Sequence, residues 1–118
     1  MLILISDAFD KSLPEKLSVF GEVTDDKSRL KDAEVVLIRS KTKADRSYID
    51  QAPNLRLIIR GGVGMENIDK EYCKEKGIIA VNTPKSSAIA VAELAFALMI
   101  SVPNHIPYYD STMKKGEW

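Results

Sequence analysis

The sequence predicts an α/β fold of the flavodoxin-like type, in which a five-stranded parallel sheet of order 2-1-3-4-5 is flanked by helices. The first supporting observation is a set of short apolar runs without polar alternation, at Leu2–Ile5, Val35–Ile38, Leu57–Ile59 and Ile78–Val81. Runs of this kind are typical of strands that are buried on both faces of a parallel sheet. The second observation is that helix-like segments separate the runs, an alternation that favours parallel strands joined by right-handed crossovers.

The remaining elements of the sheet unit follow from weaker local signals. Glu22–Thr24 is predicted as an edge strand, which completes the set of five. The segment Ile68–Lys76 begins with acidic residues, ends with lysines and stops at Gly77, an order of charges that the helix dipole favours. The other predicted helices between the strands are Leu13–Val19, Lys27–Asp32 and Asp45–Gln51.

The C-terminal part of the chain predicts a long linking helix, Ser86–Ser101, that is apolar on nearly every side. A helix of this composition must be buried all round. A small domain can cover only one face, so the other face requires a partner, and we expect a homodimer through Ser86–Val102.

A second C-terminal helix, Tyr108–Trp118, is predicted after the interruptions at Pro103 and Pro107. No cap and no further strand follow it. We therefore expect a chain cut from a longer protein, with a domain at residues 1–85 and linking helices at 86–118.

Composition and charge argue against several classes of function. Lys+Arg and Asp+Glu both number 17, so the net charge is zero and no basic patch indicates nucleic-acid binding. The longest apolar segment, Ala88–Val102, is too short to span a bilayer, and the N-terminal run lacks the basic residues of a signal peptide. The single cysteine, Cys73, is predicted to be a structural thiol, and the single histidine, His105, a surface residue. We expect a cytoplasmic protein with no membrane partner.

Arginines, a serine, glycines and an asparagine follow three neighbouring strands at their carboxyl ends. Ligands of open α/β sheets bind beyond these ends. Arginine binds a carboxylate or phosphate through two hydrogen bonds, and successive amides of a glycine turn form an anion nest. The pattern therefore predicts a site for a small anion. Its candidate residues are Arg39, Ser40, Arg60, Gly61, Gly62, Val63, Gly64 and Asn82.

The glycines come close to a dinucleotide-binding motif without matching it. Gly62 and Gly64 fit the first two positions of G-x-G-x-x-G, but Asn67 occupies the third. That motif also requires a helix directly after the loop and an acidic residue at the end of the next strand, where this sequence has Asn82. The glycines therefore predict an anion site rather than a dinucleotide loop.

Five segments carry a resemblance to a known family: RSKTKAD, LRLIIRGGVGMENID, KGIIAVNTP, AVAELAFALMIS and KKGEW. Their order and spacing resemble those of the D-isomer-specific 2-hydroxyacid dehydrogenases, and most of all the phosphoglycerate dehydrogenase branch of that family. The resemblance extends over effectively the whole chain. It implies an enzyme that transfers a hydride between NAD and a 2-hydroxy or 2-keto acid. It also implies two domains, of which this chain is the N-terminal part of the substrate domain.

The resemblance further implies roles for the candidate residues. The backbone of Gly61–Gly64 would hold the substrate carboxylate. Arg39, Ser40 and Arg60 would line the substrate site, and their charge suits a phosphorylated acid such as 3-phosphoglycerate, which points to serine biosynthesis. Val63 would approach the nicotinamide, and Asn82 would line the cleft. No catalytic or metal-ligating residue is expected in this chain.

The isolated chain is expected to be inactive. The family's dinucleotide glycines and its catalytic Arg, Glu and acid–base His come later than the residues matched here, and His105 does not match that histidine. The alternative hypothesis is a stand-alone flavodoxin-like module that binds small acids or a partner without catalysis. A phospho-receiver of this type needs acids after the first and third strands, but only Asp7 fits, because Arg39 occupies the other position.

Overall fold

Five parallel strands form one sheet in the computed structural model, which describes residues 1–117. They are β1 (Leu2–Ile5), β2 (Glu22–Thr24), β3 (Val35–Ile38), β4 (Leu57–Arg60) and β5 (Ile79–Asn82). The order across the sheet is β2-β1-β3-β4-β5, and every neighbouring pair is parallel, which confirms the predicted fold. β4 ends one residue later than predicted and β5 is shifted by one residue, because Arg60 pairs with Ile38 on one side and Asn82 on the other.

Four short helical segments connect these strands. They are α1 (Leu13–Leu17), a 3-10 helix (Lys27–Asp32), α2 (Arg46–Asp50) and α3 (Lys70–Glu75). The α2 and α3 helices begin later than predicted because Asp45 and Asp69 are their N-caps, whose carboxylates accept from the amides of Tyr48 and Tyr72. Ile68, predicted to be helical, instead forms an isolated parallel bridge to Ala44. The predicted helix at Lys27–Asp32 has the tighter 3-10 geometry.

The sheet carries a hydrophobic core on each face, as strands buried on both sides require. On one face, Leu4, Val36 and Ile58 pack with side chains from α2 and α3, including Ile49 and Cys73. On the other face the strand residues that alternate with these pack mainly against the α1 region, and they include Ile3, Ile5, Val35 and Leu37. The cores fix the strand ends, and with them the loops that carry the candidate site.

A second compact unit begins at Lys85, after a first unit that covers Met1–Pro84. It contains α4 (Ala88–Ser101) and α5 (Ile106–Lys114). The α4 helix starts two residues later than predicted. The α5 helix starts before Tyr108, because proline is well suited to the first helical turn. The part of the prediction that concerned Trp118 lies outside the described residues.

The α4 helix exposes its apolar side chains. None of its residues is buried within the described chain, and its large apolar residues range from 48% exposed at Ile100 to 77% at Ile89. Burial on all sides, which the sequence predicts, is therefore not seen in residues 1–117. No single described helix has the length and apolarity to cross a membrane, although α4 and α5 pass that test as a pair bent by 71°.

Candidate functional site

The register of the sheet brings the predicted site residues to one edge. Ile38, Arg60 and Asn82 are aligned across β3, β4 and β5. The residues that follow them therefore start side by side at the carboxyl ends of three adjacent strands, where ligands of open α/β sheets bind. Two loops leave this edge, and we call them the arginine loop (Arg39–Thr42) and the glycine loop (Gly61–Gly64).

The glycine loop is held by backbone and side-chain groups at the ends of the neighbouring strands. The Gly61 amide donates to the carbonyl of Ile38 at 2.8 Å. Gly62 pairs with Thr83 in both directions, because its amide donates to Thr83 Oγ1 at 2.9 Å and its carbonyl accepts from the Thr83 amide at 3.0 Å. Two of the four amides predicted to form the anion nest are thus already engaged.

The other half of the glycine loop presents free donors. Asn82 Nδ2 donates to the carbonyl of Val63 at 2.6 Å, which fixes the peptide that joins Val63 to Gly64. Among residues 1–117, the amides of Val63 and Gly64 make no hydrogen bond. Of the four amides in the predicted nest, only these two are therefore free, within the described residues, to donate to an anion.

Gly62 is required by its own conformation and by Arg60. Its φ is 146°, a region that residues with a Cβ rarely adopt. The Arg60 guanidinium packs on the position that a Cβ would occupy. The Nε atom of Arg60 is buried and has no hydrogen-bond partner among the described residues. Because a buried guanidinium nitrogen without a partner is costly, Arg60 has unused capacity for an acceptor at this edge.

The arginine loop is held by a carboxylate from the end of β1. Asp7 accepts from the amides of Arg39 and Thr42 at 2.6 and 3.1 Å and from Thr42 Oγ1 at 2.7 Å. Burial raises the pKa of Asp7, but the hydrogen bonds from Thr42 and Arg39 outweigh it and leave the pKa below its ordinary value. A carboxylate engaged in this way is not the free acceptor of a phospho-receiver.

The side chains of the arginine loop reach solvent. Arg39 is exposed, its Nη1 donates to the carbonyl of Ala8 at 3.3 Å, and its guanidinium lies 6.0 Å from the centre of the Phe9 ring. Ser40 is also exposed and lines a cavity of about 480 Å³ together with Lys43 and residues 66–69. Both side chains are therefore accessible to solvent at the carboxyl edge of the sheet.

Asn67 does not stand in for a glycine. Its Nδ2 donates to the carbonyls of Arg39 and Thr42, at 2.7 and 2.6 Å, so it ties the two loops together. The sequence reasoning missed this role, as well as those of Asp7 and Thr83. Asp7 and Thr83 are hydrogen-bonding side chains within two residues of a strand end, which is the signal that could have indicated them, whereas Asn67 lies seven residues after β4.

The glycine loop does not fit the pyrophosphate of a dinucleotide. The following helix, α3, begins only at Lys70, so its N-terminus does not directly follow the loop. The carboxylate of Glu66 lies beside Gly64, which disfavours an anion there, and a doubly charged pyrophosphate more than a single carboxylate. The side chain of Val63 is 56% exposed and is the one apolar group that the loop offers to a flat ring.

The cysteine and the histidine lie where the sequence predicted. Cys73 is 1% exposed on α3, and burial raises the pKa of its thiol, which makes it unreactive. His105 is exposed at the N-terminus of α5. No group of three or more His, Cys, Asp or Glu side chains among the described residues could hold a metal ion.

Comparison with known proteins gives the family. Residues 3–112 match the catalytic domain of the D-isomer specific 2-hydroxyacid dehydrogenases. The D-3-phosphoglycerate dehydrogenase of Methanocaldococcus jannaschii is 41% identical over 98% of this chain and 24% of its own length. The hydroxypyruvate reductase of Thermotoga maritima is 37% identical over 97% of this chain and 40% of its own length. The chain thus spans well under half of these relatives.

Solved structures agree on the fold. The D-lactate dehydrogenase of Aquifex aeolicus, solved with NAD and lactic acid, superposes with a TM-score of 0.85. It is 24% identical over the whole of this chain and 38% of its own. The TT0316 protein of Thermus thermophilus gives a TM-score of 0.88 at 23% identity, with 42% of its chain covered.

Proposed function

The chain belongs to the D-isomer-specific 2-hydroxyacid dehydrogenases, and we propose that its residues 1–85 are the N-terminal part of the substrate domain of an NAD-dependent enzyme. The proposed substrate is a 2-hydroxy acid, 3-phosphoglycerate in the first instance, which would assign the enzyme to serine biosynthesis. Residues 86–118 would link this part to an NAD-binding domain. The observation that carries the proposal is the pair of unpaired amides, Val63 and Gly64, at the carboxyl edge of a sheet in this family.

The two amides form the proposed binding site for the substrate carboxylate. They are adjacent along the chain, and Asn82 fixes the peptide group that joins Val63 to Gly64. Preoriented backbone donors bind a carboxylate without the entropic cost of ordering a side chain. Nearby, the guanidinium of Arg60 supplies positive charge, which lowers the energy of an anion at this edge.

A second anionic group of the substrate would meet the arginine loop. Arg39 offers a planar guanidinium that can bind a phosphate through two hydrogen bonds, and Ser40 offers a hydroxyl. Both are exposed and start from the strand next to the glycine loop. This combination favours a 2-hydroxy acid with a phosphate over an uncharged side chain.

The nicotinamide cofactor is proposed to bind outside this chain. NAD would accept the hydride from the substrate, but the glycine loop does not fit its pyrophosphate, and only Val63 is available to contact the nicotinamide ring. The 118-residue chain alone is therefore expected to bind the acid and to be catalytically inactive.

We also propose that the parent enzyme dimerises through Ser86–Val102. The exposed apolar side chains of α4 form a surface of the kind that marks protein–protein interfaces. Sedimentation of the chain should show self-association that Phe96→Glu weakens. Phe20→Glu is the matched control, since Phe20 and Phe96 are 65% and 64% exposed. A monomer at high concentration, or equal effects of both changes, would contradict the dimer.

Ligand-observed NMR of the 118-residue chain tests the substrate class. Titration with 3-phosphoglycerate and D-lactate should give saturable binding, with 3-phosphoglycerate the tighter ligand. NAD should show no saturable binding at the same concentrations. Binding of NAD without binding of either acid would refute the proposal, because it would assign the edge to the cofactor.

A further inference from the structure

The two loops of the site are joined by one side chain. Asn67 follows the glycine loop in sequence, yet its amide group donates both of its hydrogens to the arginine loop, at the carbonyls of Arg39 and Thr42. A primary amide has two N–H donors, so its donor capacity is fully used by this loop. Asn67 therefore fixes the position of the arginine loop relative to the segment that carries the anion nest.

Asp7 binds the same two residues of the arginine loop at their backbone amides. It accepts from the amides of Arg39 and Thr42, while Asn67 donates to their carbonyls. Both ends of the arginine loop are thus bound at N–H and at C=O. Ser40 lies between the two bound ends, so its hydroxyl and the Arg39 side chain project from a backbone with little freedom to move.

The glycine loop has separate supports. Its hydrogen bonds within residues 1–117 run to Ile38, Asn82 and Thr83, and none of them involves the Asn67 side chain. The main-chain bridge beside Asn67 is also independent of its side chain, because the Ala44 amide donates to the Asn67 carbonyl at 2.8 Å and the Asp69 amide to the Ala44 carbonyl at 3.0 Å. Removal of the Asn67 amide should loosen the arginine loop and leave the proposed carboxylate site and the local fold in place.

We propose that Asn67 is a positioning residue for substrate specificity, which holds Arg39 and Ser40 where they meet the second anionic group of the bound acid. The inference rests on the proposed function, in which Val63 and Gly64 bind the carboxylate. It goes further by assigning selectivity for a phosphorylated acid to a residue whose side-chain amide binds the backbone of the arginine loop. Asn67 acts on the phosphate end alone, whereas Thr83 acts on the carboxylate end.

The test compares two acids on the 118-residue chain and its variants by amide chemical-shift titration. 3-Phosphoglycerate and D-lactate share the 2-hydroxy carboxylate, and only the former has a phosphate. In Asn67→Ala and in the bulkier Asn67→Leu, the preference for 3-phosphoglycerate over D-lactate should fall by about fivefold or more, which corresponds to the loss of about one hydrogen bond between the displaced arginine loop and the phosphate. The affinity for D-lactate should stay within about twofold of the unsubstituted chain. In Thr83→Val both affinities should fall together.

Two distinguishable results would contradict the inference. If the unsubstituted chain binds both acids but the Asn67 variants keep its preference, or lose both affinities in parallel, the residue has only a structural role. If the unsubstituted chain binds neither acid, the proposed function fails and the inference fails with it. Retained protection of the Ala44 and Asp69 amides from hydrogen exchange in the variants verifies that the bridge is intact.

Discussion

The two loops of the site are stabilised in different ways, although they leave adjacent strands of one sheet. The glycine loop depends on its backbone conformation, because it needs a positive φ at Gly62, and hydrogen bonds with the neighbouring Asn82 and Thr83 support it. The arginine loop is fixed by side chains from elsewhere, Asp7 and Asn67. The first loop presents amides and the second presents side chains. Addition of a Cβ should therefore disrupt the glycine loop. Loss of a side-chain acceptor or donor should disrupt the arginine loop.

The largest effect is expected for Gly62→Ala. A Cβ at this φ is strained and displaces the Arg60 guanidinium, so we expect a loss of about 3 kcal/mol in the free energy of unfolding and loss of acid binding. Gly77→Ala is the matched control, with a φ of 71° but nothing within 4 Å of the added Cβ, and should cost about 1 kcal/mol. Urea denaturation measures both, and equal costs would show that the Arg60 contact is unimportant.

The next effect concerns the arginine loop. Asp7→Ala removes an ionised acceptor of three hydrogen bonds and should lower the free energy of unfolding by about 2 kcal/mol at neutral pH. Asp10, an exposed carboxylate that within residues 1–117 accepts from Ser12 alone, is the control, and its substitution by Ala should have a smaller effect. An equal loss of stability in the two variants would contradict the role of Asp7 in holding the arginine loop.

The Asp7 effect should also depend on pH in a defined direction. The pKa of Asp7 is lowered from 3.8 in the folded chain, so its stabilising contribution is present above that value. The contribution is lost as the pH falls below 3.8 and through the lowered folded value. Denaturation of the chain and of Asp7→Ala at several pH values should therefore show a difference that is constant near neutrality and shrinks in acid. A difference that grows in acid would contradict the hydrogen-bond assignment.

A smaller effect is expected where a side chain supports the glycine loop. Thr83→Val removes the hydroxyl that accepts from the Gly62 amide and should lower acid affinity by about fivefold, or about 1 kcal/mol. Thr83→Ser retains the hydroxyl and should bind like the unsubstituted chain. Both affinities follow from chemical-shift titration, and a weak Thr83→Ser variant would mean that the methyl group, rather than the hydrogen bond, matters.

The smallest expected effect is a gain in affinity for the acid. Glu66 places a carboxylate beside Gly64, where it would repel an acid bound at the proposed site. Because Glu66 is exposed and its charge is screened by solvent, Glu66→Gln should tighten D-lactate binding by only about twofold at low salt. Glu71→Gln, a similar change in the first turn of α3, serves as the control. Weaker binding in Glu66→Gln would indicate that the Glu66 carboxylate accepts a hydrogen bond from the ligand, directly or through water.

The sequence was sufficient for the sheet because buried parallel strands leave a strong apolar pattern, and β1, β2 and β3 have the predicted bounds. It also located the strand ends and the residues that follow them. It could not show which amides of the glycine loop are free, because that depends on contacts of Thr83 and Asn82 across the sheet. The role of Asn67 was hidden for the same reason, since its partners lie in another loop. Helix ends shifted where a capping aspartate resembled the first helical residue.

The most direct test of the central claim is the ranking of amide chemical shifts when the chain is titrated with D-lactate. The account predicts that Val63 and Gly64 shift most, with one dissociation constant, because their amides are unpaired. Gly61 and Gly62 should shift less, since their amides already donate to Ile38 and Thr83. Largest shifts at Gly61 and Gly62, or saturable shifts confined to residues away from the strand ends, would contradict it.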